Sequence, residues 1–206
     1  MFRSWLVIIW SLLLQHSLPA QSKWVFENYT YPGQQGAGAI VPMVHVETKN
    51  NWYAELRYNY EDVQTLSFFG GKTFTSGNAF EYSLTPLAGF STGNFTGISL
   101  GMNTGAAWKN FYLSSQTQYS IGTKREVADF FFSWSEVGYN LSPVFFSGLA
   151  MQYTRQSGHT KFEPGFVAGV CIKDFSFPVY VFSPFHGDRY FVVGLNYEYN
   201  WKKKKS

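Results

Sequence analysis

Apolar and polar residues alternate along most of this chain with a period of two. The last run is the clearest. Phe191, Val193, Leu195, Tyr197, Tyr199 and Trp201 share one phase, and Val192, Gly194, Asn196, Glu198 and Asn200 share the other. Trp52, Ala54, Leu56, Tyr58 and Tyr60 oppose Tyr53, Glu55, Arg57 and Asn59 in the same way, and the runs from Phe80 to Phe90 and from Phe111 to Ile121 repeat it. Successive side chains of a strand point to opposite faces, so each run carries one apolar and one polar face. No segment after Ala20 holds a 3.6-residue apolar rhythm. Compact breaks at Lys49-Asn50-Asn51, Ser76-Gly77-Asn78, Thr92-Gly93-Asn94, Leu141-Ser142-Pro143 and Lys173-Asp174 separate the runs. The pattern predicts about twelve strands, near residues 23–31, 38–48, 52–60, 65–75, 79–90, 95–105, 109–121, 129–140, 144–155, 164–172, 175–182 and 189–201, with ten possible.

Many alternating strands suit either a soluble sheet, which hides its apolar face, or a membrane barrel, which turns it to lipid. Most of the clear runs reach about 9–12 residues, the length a tilted strand needs to cross a bilayer, whereas soluble strands are commonly about 5–6. Aromatics recur near strand ends, at Trp52, Tyr60, Phe80, Phe90, Phe95, Trp108, Tyr119, Tyr153, Phe175 and Trp201, as in interfacial girdles. Connections alternate between short breaks and longer segments at Pro32 to Ala37, Gly122 to Ala128, Gln156 to Glu163 and Ser183 to Asp188, which puts both termini on the short-turn, periplasmic side. The expected fold is all-β: an antiparallel up-and-down transmembrane β-barrel spanning residues 21–201. Lys72 and Glu136 fall on apolar phases, so bulges are expected at Gly70-Gly71 and near Ser135 to turn them inward. Without those bulges, both must lie at an interface.

Composition narrows the class. The chain has 206 residues, 45% hydrophobic, 20% aromatic and 14% charged. That excludes disorder, a coiled coil and a strongly basic nucleic-acid binder. The single cysteine, Cys171, excludes an internal disulfide framework and a cysteine zinc cluster. Residues 1–20 join a positive start at Arg3, an apolar run from Trp5 to Leu14 and a small residue at Ala20, the layout of a secretory signal peptide. The apolar run is too short for a spanning helix, which weighs against a retained anchor. The last residues, 202–206, form a basic tail whose lysines turn an otherwise slightly acidic mature body positive.

Gly194, Tyr197 and Tyr199 have the spacing glycine, two residues, aromatic, one residue, aromatic. This resembles the final-strand insertion signal of Gram-negative outer-membrane barrels, although here the chain continues past it. The resemblance is to small outer-membrane barrels of Gram-negative bacteria. It implies location in the outer membrane, contact with outer-membrane lipids and handling by the barrel-assembly machinery during insertion.

Candidate chemistry is sparse. Glu47, Glu55, Arg57, Glu81, Lys173, Glu198 and His45 fall on polar phases and are expected to line the lumen, either as a salt-bridged plug or as a lining that selects solutes. His45 with Glu47 is a possible pair, and Cys171 is a small lumen residue. His186, Asp188 and Arg189 are candidates in the last outer loop. No nucleophile stands beside a base, no metal-ligand spacing occurs and no cofactor motif is present, so no catalytic residue, metal or cofactor is assigned. The leading function is a narrow channel for small solutes or an envelope structural protein. The alternatives are a lipid- or lipopolysaccharide-modifying enzyme at the outer rim and a soluble periplasmic barrel binding an apolar ligand. Nucleic acid is not an expected partner.

Overall fold

A computed structural model describes residues 22–33, 40–124 and 126–201. The signal-peptide and tail assignments lie outside the described residues. The strands are β1 (Lys23–Thr30), β2 (Ile40–Glu47), β3 (Trp52–Tyr58), β4 (Leu66–Lys72), β5 (Phe74–Ser76), β6 (Phe80–Thr92), β7 (Gly97–Trp108), β8 (Phe111–Gly122), β9 (Phe130–Asn140), β10 (Phe145–Gln156), β11 (His159–Ile172), β12 (Phe175–Phe182) and β13 (Tyr190–Asn200). Apart from β4 and β5, sequence neighbours pair antiparallel with each other, and β1 pairs with β13. β4 and β5 both pair with β6 in one continuous register, Gly71 opposite Leu87 and Phe74 opposite Leu84. They form one wall position, so the barrel has twelve strands and a short extra segment, as the alternation predicts.

The phases fall as expected in most strands. Leu56, Phe68, Phe90, Leu100, Leu149, Phe191 and Leu195 are exposed on the outside. Leu100 keeps 68% and Leu149 60% of its surface open, a burden that a water-soluble surface does not carry over so wide a band. Aromatic pairs gird the end that holds both termini: Trp108 stacks on Phe111 at 6.3 Å, Phe111 meets Tyr139 at 4.9 Å and Phe175 meets Tyr197 at 4.7 Å. At the far end Phe68 faces Phe90 at 5.9 Å and Phe131 faces Tyr153 at 5.8 Å.

Four expectations are corrected. The registers of β3–β4 and β8–β9–β10 run without a break, so neither bulge exists. Lys72 stays outside at the strand end, its Nζ 5.5 Å from the Trp52 ring, where an ammonium reaches the interface. Glu136 needs no bulge, because β9 has the opposite phase: Trp134 packs inward against Tyr180, and Val137 and Tyr139 face out. The supposed loop from Gln156 to Glu163 is a tight hairpin, with Gln156 opposite His159 and positive φ at Ser157 and Gly158. Two such residues suit the primed turns whose twist matches the strands. Finally, Tyr60 and Phe95 are not girdle residues. Phe95 is buried 5.1 Å from Phe130, and Tyr60 lies beneath Arg57.

Candidate functional site

The site is the barrel interior. In β3 the polar phase places Tyr53, Glu55 and Arg57 inward. Arg57 and Glu55 are each only 2% exposed and form an ion pair through Arg57 Nε and Glu55 Oε1. Glu55 also accepts from the Tyr53 hydroxyl. The guanidinium then crosses the lumen: its Nη1 donates to Gln118 Oε1 on β8 at 2.7 Å. Its carbon lies 4.5 Å from the Tyr60 ring centroid and 4.4 Å from that of Phe69. A planar, delocalised cation suits this combination of ion pair and ring stacking better than an ammonium would.

The β3–β4 loop supplies the rest. Asn59 turns the chain with φ 61°. Its side chain donates to Ile40 O at 2.9 Å and accepts from Gln64 N at 2.7 Å. The loop therefore folds into the barrel instead of away from it. Tyr60 donates to Gln116 Oε1 at 2.9 Å. Glu61 accepts from Ser67, and lies 3.5 Å from Arg57 Nη1 and 3.4 Å from Gln118 Nε2. Arg57 thus ties two strands and an inserted loop into one constriction.

A second group fills the opposite wall. Trp134 contacts Tyr29 at 5.2 Å, Tyr180 at 5.1 Å and Phe182 at 5.5 Å, measured between ring centroids. Between this wall and the constriction lies a cavity of about 310 Å³, bordered by Glu27, Tyr60, Tyr112, Trp134, Glu136 and Tyr180 among others. It shares Glu27, Cys171, Ser176 and Asn196 with a wider recess of about 490 Å³ at the terminal end, where Lys23, His45, Lys173 and Glu198 also sit.

The expected lining residues distribute unevenly. Glu55 and Arg57 form the constriction. His45 faces inward but not as half of a pair with Glu47: its Nδ1 is 3.9 Å from Glu27 Oε1 and its ring 5.1 Å from Tyr53. Glu47 takes the inward phase at the rim, opposite Lys23 in register. Glu198 bonds Lys23 at 2.7 Å, with both side chains more than 40% exposed. Lys173 sits on the β11–β12 turn at the mouth, with φ 56°. Glu81 is exposed on the projecting β5–β6 hairpin, beside an open recess. Cys171 borders the cavity as a small side chain.

His186, Asp188 and Arg189 are exposed on a turn closed by backbone bonds from His186 N to Ser183 O and from Arg189 N to His186 O. Among the described residues no group of three or more His, Cys, Asp or Glu is placed to hold a metal ion. Sequence reasoning missed Glu27, Tyr60, Glu61, Gln116, Gln118 and Glu136. Glu27 and Gln118 stand on alternating strands and could have been found by phase. Tyr60 and Glu61 could not, because alternation ends where the loop turns in.

No protein-family model matches the sequence, and no curated protein matches it significantly. Solved structures do match the fold. The KdgM porin aligns with a TM-score of 0.58 at 10% identity, over 85% of this chain and 98% of its own. The KdgM porin in complex with disordered oligogalacturonate gives 0.59 at 9% identity, over 85% and 98%. The NanC porin gives 0.58 at 10% identity, over 87% and 100%. This closed twelve-strand barrel, apolar outside and polar within, shares its fold with these porins over 85–87% of the chain.

Proposed function

We propose that the chain is an outer-membrane channel that passes small solutes through a narrow lumen constricted at Arg57. The observation that carries this reading is the contact from Arg57 to Gln118, a charged bridge across the interior of a barrel whose outside is apolar. A barrel of this strand number lies between side-chain-filled eight-strand barrels and open 16-strand pores, so a lumen gated by a few side chains is physically reasonable. The KdgM porin, solved with oligogalacturonate, supports a route for small solutes through a barrel of this shape. Lipid contact along the outward band and insertion through the barrel-assembly machinery belong to the same reading.

The alternatives draw less support. A soluble barrel binding an apolar ligand needs an apolar interior and a polar exterior, the reverse of the arrangement here. A rim enzyme would draw on His186 and Asp188, which stand exposed, and Ser183 meets His186 through its backbone carbonyl.

The test is single-channel conductance in planar bilayers. The wild type should pass small, low-amplitude currents, and Arg57→Ala should raise them several-fold. If both are electrically silent while heat-modifiable migration shows a folded barrel, the protein is a structural element of the envelope and the channel reading fails.

A further inference from the structure

We propose that the cavity beside the constriction is a binding site for a small organic cation bearing an ammonium group. This deepens the channel reading, on which it rests for access to the site. The cavity volume of about 310 Å³ falls at the lower end of small-molecule sites.

Its chemistry is that of a cation receptor. Glu27 and Glu136 both border it, on β1 and β9. Glu27 accepts from Tyr29 at 3.1 Å and Glu136 from Tyr180 at 2.8 Å. Two of the nearby cations are already engaged, and Lys173 stands exposed on the turn at the mouth. Arg57 is held by Glu55 and Glu61, and Lys23 by Glu198 at the mouth. Among the described residues, only His45, at 3.9 Å, comes within ion-pair distance of Glu27. Carboxylates set among aromatic rings without a committed cation attract one, because ring faces add to the attraction.

The cavity also holds buried polar atoms without partners. Tyr112 Oη and Asn196 Oδ1 are buried at the same cavity and unpaired. Such groups cost free energy unless a ligand or water completes them. An ammonium has three donors and no acceptor. Glu27, Glu136 and Asn196 Oδ1 are the acceptors that this cavity offers it. An acidic sugar would set like charges beside the two carboxylates, so the site discriminates against anions by repulsion.

The experiment uses the full chain refolded in detergent micelles, titrated calorimetrically with putrescine, galacturonate and glucose. Putrescine should bind, and the other two should not. Glu27→Gln with Glu136→Gln should weaken putrescine by about tenfold per carboxylate, and Tyr112→Phe by a few-fold. Glu81→Gln, far out on the projecting hairpin, should change nothing. Glutamine still accepts from Tyr29 and Tyr180, so these variants keep the fold, as heat-modifiable migration will show. Equal binding of galacturonate or glucose, or undiminished putrescine binding in the double variant, overturns the site. Conductance separates the two readings. A silent barrel that still binds putrescine through Glu27 and Glu136 upholds the site and removes the channel. A conducting barrel without putrescine binding does the reverse.

Discussion

Arg57→Met measures whether the constriction is dry. Arg57 and Glu55 are each 2% exposed, and Glu61 is fully covered at the side chain. Removing the guanidinium strands Glu55 without its cation and leaves Gln118 Oε1 without its 2.7 Å donor. Breaking a buried ion pair from one side costs about 3–5 kcal/mol, because the remaining charge is uncompensated. Removing every charge of the cluster costs far less, since none is then left alone. Glu61 is the third charge, buried 3.5 Å from Arg57 Nη1, so it must be neutralised too. Arg57→Met with Glu55→Gln and Glu61→Gln should therefore lie within about 1–2 kcal/mol of wild type. The assay is urea unfolding of the refolded barrel in lipid vesicles, followed by tryptophan fluorescence, with the three proteins compared at equal slope. If the single variant loses less than about 1 kcal/mol, the pair behaves like an exposed surface bridge. Arg57 then stands in a water-filled pore, and the constriction is refuted.

Three further outcomes follow from the same geometry. Leu100→Arg places a cation on the outward face of β7, where Leu100 is 68% exposed; it should cost roughly 2–4 kcal/mol in vesicle unfolding if that face meets the bilayer middle, and nothing comparable if it meets water. Gly138→Val should cost about 1–3 kcal/mol by overpacking, because a Cβ there would sit 2.2 Å from Tyr112 Cζ; the same unfolding assay reads it. Lys23→Ala removes the half-exposed bridge to Glu198, and should change stability by less than about 1 kcal/mol, with the difference fading in high salt.

Much of this fold is written in the alternation. In β3 and β13 the charged residues share one phase and the large apolar residues the other, so Glu55, Arg57 and Glu198 could be assigned inward from the chain alone. Closure is legible only indirectly, through strand length and strand number. The constriction was half legible. Its cation and one carboxylate lie on a strand, but Tyr60 and Glu61 arrive by a loop that Asn59 bends inward. Nothing in a period-two pattern distinguishes a loop that enters a barrel from one that leaves it. Gln118 was placed on a polar face, yet its partner is 61 residues away in sequence, and only the curvature of the closed sheet brings the two together.

β9 shows why the pattern misled where it did. Phe130, Phe132 and Trp134 read as a lipid-facing phase, which made Glu136 look misplaced. Both faces of this strand are unusual for their surroundings. The aromatic face turns inward, where Trp134 packs with Tyr180 and Phe182 and fills lumen that polar side chains would leave wet. Ser133 and Ser135 consequently face out, where unsatisfied hydroxyls would be costly in hydrocarbon. They are not left so. Ser135 bonds Ser115 at 2.8 Å and Ser133 bonds Thr117 at 3.1 Å, both across the β8–β9 pair. Four small hydroxyls that satisfy one another make the outward phase tolerable, and that tolerance lets β9 spend its rings on the interior. The ring-packed inner wall and the inward carboxylate of Glu136 are thus two results of one inverted strand. A sequence rule that counts hydroxyls only as polar will assign such a strand the wrong way round.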